Sequence, residues 1–142
     1  MNFQEYHDLI ATKKKRKPYR QIEGQHQTNL GMLLNGVLRG RMSPKLIFWS
    51  YSASGEKKPL KTAILQKRKG LQKGKLDYEF FLNEENNMRA VFLETKTTTG
   101  SLTPEQKQFF KSFEEIQNVS CYTSKSIEES IQILEKEKIL LT

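Results

Sequence analysis

Three residues carry most of the chemistry open to this chain: Asp77, Glu94 and Lys96. They flank Asn83–Asn87, which reads as the turn of a hairpin between a strand over Leu76–Leu82 and a returning strand over Ala90–Lys96. If the turn is symmetric about the middle of Asn83–Met88, facing residue numbers sum to 171. Asp77 then stands opposite Glu94, and Phe81 opposite Ala90. Facing residues share one side of a sheet, with Cβ atoms roughly 4.5–5.5 Å apart. Two carboxylates so placed repel unless a positive charge lies between them, and a hard divalent cation with oxygen ligands is the natural candidate. Side chains alternate along a strand, so Lys96 emerges beside Glu94. An amine there can pair with the carboxylate, orient an attacking water or balance charge on a phosphate. The bland alternative is a solvated polar sheet face, and a one-residue slip in register would part the acids.

Two further residues have double readings. Glu23 opens a helical stretch and lies seven residues before Leu30, so it points along the apolar stripe, with Gln27 one turn on. It is either a partner of the positive end of that helix or a member of a site. Gln106 is the third residue of a helix opened by Thr103–Pro104–Glu105–Gln106, a capping box with proline at the first helical position. It either completes the cap or turns toward the sheet, one turn before Phe110.

The elements that must position these groups follow from periodicity. Leu30, Leu33, Leu34, Val37 and Leu38 form the stripe of a buried helix closed by Gly40. Leu46–Trp49 reads as a short buried strand ending at the turn Ser54–Gly55. Pro59 starts a helix with a modest apolar face of Leu60, Ala63 and Ile64. Gly70 and Gly74 break the chain before the hairpin. After it come a helix with Phe109, Phe110, Phe113 and Ile116 on one side, a strand over Val119–Tyr122, and a helix capped by Ser126 and Glu129 that bears Ile127, Ile131 and Leu134. The order helix, strand, helix, hairpin, helix, strand, helix predicts an α/β domain with a mixed sheet.

Composition narrows the partners. The 142 residues suit one domain, with 36% hydrophobic and 28% charged residues. No run approaches the ~18–20 apolar residues of a membrane span, and the polar, basic start is unlike a secretory signal. A lone cysteine, Cys121, cannot form an internal disulfide, which favours a reducing, cytoplasmic setting. The net charge of +8 is unevenly spread. Residues 1–75 hold 17 Lys/Arg against 4 Asp/Glu, a balance of +13, and residues 76–142 hold 7 against 12, a balance of −5. A basic half points to a polyanion, because neutralising phosphates releases counterions. Candidate backbone contacts are Lys13, Lys14, Lys15, Arg16 and Lys17 in an exposed arm, with Lys57, Lys58, Lys61, Lys67, Arg68 and Lys69 further on. Residues 1–20 are read as that arm with a short helix, and residues 21–142 as the single domain. Trp49 and Tyr51 end an apolar strand and read as core rather than base-stacking platforms. Cys121 reads as a buried strand residue, and His26 as a surface or supporting residue rather than a metal ligand.

The run Gly70–Leu71–Gln72–Lys73–Gly74–Lys75–Leu76–Asp77, followed by Phe92–Leu93–Glu94–Thr95–Lys96 and Gly100–Ser101–Leu102–Thr103–Pro104–Glu105–Gln106, resembles the VRR-NUC domain of the PD-(D/E)XK nuclease superfamily over roughly residues 20–135. The resemblance implies a restriction-endonuclease-like fold, a mixed β-sheet flanked by α-helices. It implies that Asp77 is the metal-binding aspartate, Glu94 and Lys96 the E-x-K pair, Glu23 the acid of the first helix, and Gln106 the glutamine of the helix after the pair. It also implies Mg²⁺ or Mn²⁺ held by Asp77, Glu94, the Thr95 carbonyl and Glu23. The activity implied is hydrolysis of DNA phosphodiesters, in small stand-alone members by homodimers resembling Holliday junction resolvases. Two departures bear on subfamily and substrate: Leu76 stands where proline is common, and the glycine-rich turn after the early strand is reduced to Ser54–Gly55. The alternatives are a flap or overhang nuclease and a non-catalytic nucleic-acid-binding module. An RNA-binding protein is favoured by charge alone, without the usual aromatic signature.

Overall fold

The hairpin that carries the acids is set by its turn. Glu85 and Asn86 both have positive φ, 51° and 67°, the pairing of a two-residue type I′ turn, whose twist matches that of the flanking strands. It joins β2 (Tyr78–Glu84) to β3 (Asn87–Thr95). Their antiparallel register runs from Glu84 opposite Asn87 to Tyr78 opposite Leu93, with Phe81 opposite Ala90. Facing numbers sum to 171, as the symmetry of the turn predicts.

The computed structural model describes residues 2–5, 23–52, 59–70 and 74–142, excepting the side chains of residues 23–25. The predicted arm contacts at residues 13–17, the turn Ser54–Gly55, Lys57, Lys58 and residues 71–73 lie outside the described residues. The remaining elements are α1 (Glu23–Asn35), β1 (Leu46–Tyr51), α2 (Leu60–Arg68), α3 (Pro104–Phe113), β4 (Val119–Ser124) and α4 (Ile127–Lys136). The strands form one four-stranded sheet in the order β1-β2-β3-β4. The first two pairings are antiparallel, and β3 with β4 is parallel. This is a mixed α/β fold with helices flanking the sheet.

Alternation along the strands sorts the core into two layers. Tyr78, Phe80, Leu82, Val91 and Leu93 face the leucines of α1 and the apolar stripe of α4, Ile127, Ile131 and Leu134. Phe81, Ala90 and Phe92 face the other way, toward Phe109 and Phe110 of α3. Phe92 meets Phe109 edge-on at 5.1 Å and lies 5.6 Å from Phe113, which seats α3 over β3. Ser126 caps α4, its side chain accepting from the Glu129 N–H, as the spacing predicts.

Several expectations need correction. The first long helix ends at Asn35, before a 3-10 turn at Arg39–Arg41, so Gly40 does not close it. Both hairpin strands are displaced toward the turn by about two residues relative to the apolar runs. The strand read as buried, β1, lies at the sheet edge with Ile47 and Phe48 more than half exposed. The α2 helix buries none of its residues, and Leu60, Ile64 and Leu65 are exposed, so its modest apolar face is left largely in solvent. Ile116 falls beyond the end of α3 and is exposed, and Cys121 is only half-buried. Among the described residues no helix is long and apolar enough to cross a membrane.

Candidate active site

Beyond Tyr78–Leu93 the backbone ladder gives way to side chains. The Asp77 N–H donates to Glu94 Oε2 at 3.1 Å. In return the Thr95 N–H donates to Asp77 Oδ2 at 2.9 Å, and the Thr95 hydroxyl donates to the same oxygen at 2.7 Å. Each acid thus accepts from the other strand's backbone, where a ladder bond would otherwise fall. This exchange holds both carboxylates at the strand end.

Glu94 Oε1 has two more partners. Gln106 Nε2 donates to it at 2.7 Å, and Lys96 Nζ lies 3.2 Å away. The two readings of Gln106 are one arrangement. Its Oε1 accepts from the Thr103 N–H at 3.0 Å, and its own N–H donates to Thr103 Oγ1 at 3.2 Å, closing the capping box. The cap uses the amide oxygen and so turns the amide nitrogen to Glu94. Lys96 is held from behind, its N–H donating to the Ser124 carbonyl of the parallel neighbour β4 at 2.8 Å.

The set is enclosed. Asp77 is 5% exposed, Glu94 1%, Lys96 7% and Gln106 7%. Burial first, and then the charge of Asp77, push the Glu94 carboxyl up to about 7, against the opposing pull of Lys96 and the Asp77 N–H. Two acids with one ammonium in a place poor in water leave a demand for positive charge.

His26 departs from its expected surface place. It is 1% exposed, with Nε2 3.1 Å from Ser130 Oγ, and Ser130 Oγ meets Ser124 Oγ in turn. Desolvation lowers its pKa, while the backbone of Lys96 and Ser126 and the charge of Asp77 favour the protonated form. His26 is therefore a neighbour of the site that the reading of the acids missed. The signal was the stripe itself, since His26 precedes Leu30 by four residues and extends the same face of α1. The Thr95 hydroxyl, the second donor to Asp77, was also missed, and nothing in the spacing marks it.

Of the predicted site residues, Asp77, Glu94, Thr95, Lys96 and Gln106 come together. Glu23 begins α1, three residues before His26, and its side chain lies outside the described residues. Among the described residues no group of three or more His, Cys, Asp and Glu side chains is gathered for a metal. The donors present are nonetheless hard oxygens. Asp77 Oδ1 takes no hydrogen bond among the described residues, and the two carboxylates suit a magnesium-like ion better than a soft one. Lys61, Lys67, Arg68 and Lys69 lie on or just after α2 and are exposed, as phosphate contacts require.

No protein-family model matches the chain, and neither a curated protein nor a solved structure matches it.

Proposed function

We propose that this chain is a metal-dependent DNA endonuclease, hydrolysing phosphodiester bonds at the strand end that carries Asp77, Glu94 and Lys96, and that it belongs with the VRR-NUC nucleases it resembles. The observation carrying this reading is that two buried carboxylates, one ammonium and one amide form a single hydrogen-bonded group where the start of β2 and the end of β3 meet the first turn of α3. Asp77, Glu94 and the Thr95 carbonyl would hold Mg²⁺ or Mn²⁺, with Glu23 as a further acid from α1. When bound, such an ion lowers the pKa of water and polarises a phosphate. Lys96 orients the attacking water and balances the negative charge that grows on the phosphate. Gln106 fixes Glu94, so that the carboxylate keeps one orientation while Lys96 exchanges partners. The exposed cations of α2 hold backbone phosphates without reading sequence.

Branched DNA is the favoured substrate. A two-fold junction suits a homodimer that presents two such centres to paired strands. A flap or overhang nuclease is the nearest rival. One observation favours a second reading, a non-catalytic nucleic-acid-binding module: the enclosed carboxylates also satisfy backbone donors, so the group could serve as a structural tie.

Labelled four-way junction, flap, duplex and RNA, incubated with Mg²⁺, with Mn²⁺ or with chelator, separate these readings. Cleavage of DNA is expected only with the divalent ion. Asp77→Asn and Lys96→Ala should each reduce it by at least about 100-fold while DNA binding persists. Equal cutting by wild type and both variants refutes the assignment, and binding without cutting under any ion supports the module.

A further inference from the structure

β4 forms the outer edge of the sheet beside β3. Its residues alternate in what they offer a neighbour. The Asn118 and Ser124 carbonyls accept from the Ala90 and Lys96 N–H groups at 2.9 and 2.8 Å, so the even-numbered residues turn their backbone toward β3. Val119, Cys121 and Thr123 turn theirs outward, and no backbone partner among the described residues meets them there. The run Val119–Ser124 holds no charge and no proline, the devices that ordinarily blunt such an edge. At the opposite rim of the sheet, β1 is interrupted by a register shift between Leu46 and Phe48.

A groove of about 520 Å³ lies along this edge, between β4 and α3. Val119, Cys121 and Phe110 line it, each only partly buried. The α3 helix runs against the direction of β4. Gln106, in its first turn, touches Glu94 at the level of Thr123, whereas Phe113, at its end, meets Phe92 at the level of Cys121. Lys111 and Glu114 stand at the rim of the groove, and the three-and-four spacing puts Lys107 on the same side of the helix. All three are exposed. That side of α3 is therefore basic at its start and acidic at its end.

We infer that β4 pairs with β4 of a second copy of this chain across a two-fold axis at Cys121. This gives a surface to the homodimer of the reading above; the use of the pairing, though not its existence, rests on that reading. A two-fold axis makes the strands antiparallel, so Cys121 faces its own counterpart and Val119 faces Thr123 of the second copy. All three outward residues then exchange backbone hydrogen bonds, about six in all. The same axis sets the two α3 helices antiparallel, which brings the basic start of one beside Glu114 of the other. The edge and its rim are thus self-complementary, which selects a second copy over an unrelated strand. The pairing also closes, whereas β4 against β1 of another copy would leave free edges and grow without limit. Glu94 is level with Thr123, one strand in from the edge. The two Glu94 residues would stand about 20 Å apart on one face of the joined sheet, from three strand spacings across and four residues along. Two centres on one face suit cuts in two paired strands.

Sedimentation equilibrium of the full chain in reducing buffer, without DNA or metal, should show a dimer of twice 16.6 kDa. Amide hydrogen exchange locates the interface. The Val119, Cys121 and Thr123 amides should exchange at least about tenfold faster once dilution separates the copies, while those of Tyr122 and Ser124, bonded to β3, stay protected. Glu114→Lys should weaken the dimer about fivefold, and adding Lys107→Glu to the same chain should restore it. A monomer at every concentration up to about 1 mM, an open-ended assembly, or a dimer in which those three amides exchange as in the monomer overturns the proposal. Cleavage is scored separately with Mg²⁺: a dimer joined through β4 that cuts nothing upholds the interface and sinks the nuclease, whereas a monomer that cuts does the reverse.

Discussion

Glu94 is the residue at which structure and chemistry pull hardest against each other. It is held beside a second acid, out of water, by one ammonium and two amide donors. Its carboxyl is raised from 4.5 to about 7 in the folded chain. The folded state therefore binds the proton more tightly than the unfolded state, and stability from this group is fully present below about 4.5 and lost as pH rises through about 7. In chelator, the wild type should lose on the order of 3 kcal/mol of stability across that window relative to its acid plateau. His26 acts in the opposite sense, because its lowered pKa favours the neutral ring and its contribution falls away in acid. The comparison with Glu94→Gln isolates the Glu94 term. Urea unfolding of both proteins at several pH values checks it; parallel curves would mean that burial places no such load on Glu94.

At the scale of elements, the hairpin and α3 do the positioning. The register was legible in the sequence because a two-residue turn leaves little freedom, and the polar run Asn83–Asn87 marks it. The capping box was legible for a similar reason, since Thr103, Pro104 and Gln106 act within one turn of chain. Less visible was that Gln106 serves Glu94 through its second polar atom, because that depends on how Phe92, Phe109 and Phe113 seat α3 over β3. Edge and interior strands were also indistinguishable: Leu46–Trp49 is as apolar as a buried strand, and only the strand order places it at the rim. Gly74 tests the positioning directly. It has φ of 85°, and a Cβ there would lie 2.8 Å from the Glu105 carbonyl oxygen, against the first turn of α3. Gly74→Ala should cost more than about 1 kcal/mol, from left-handed strain and from the clash. It should also lower cleavage by shifting Gln106 away from Glu94. Unchanged thermal stability and activity would mean that the approach of residue 74 to α3 is not needed.

At the scale of the whole molecule, charge and shape divide the work. The basic first 75 residues and the acidic remainder are a feature of the sequence alone, and they point to a polyanion whatever the fold. Within the described residues, α2 is a basic element that buries none of its residues, with Lys61, Lys67, Arg68 and Lys69 exposed. If these four hold phosphates, replacing all of them by alanine should reduce the slope of log affinity against log salt by about 3–4, at roughly 0.9 per phosphate contact. A slope that does not move would assign the contacts elsewhere.

The proposed nuclease stands or falls on whether Asp77 and Glu94 form one divalent-ion site. Binding of Mn²⁺ to the free protein, followed by electron paramagnetic resonance at neutral pH, tests it without any assumption about substrate. Saturable binding by the wild type is expected, weakened at least about tenfold in Asp77→Asn and restored by no excess of monovalent salt. Indistinguishable Mn²⁺ binding by the wild type and Asp77→Asn, or none by either, would contradict it.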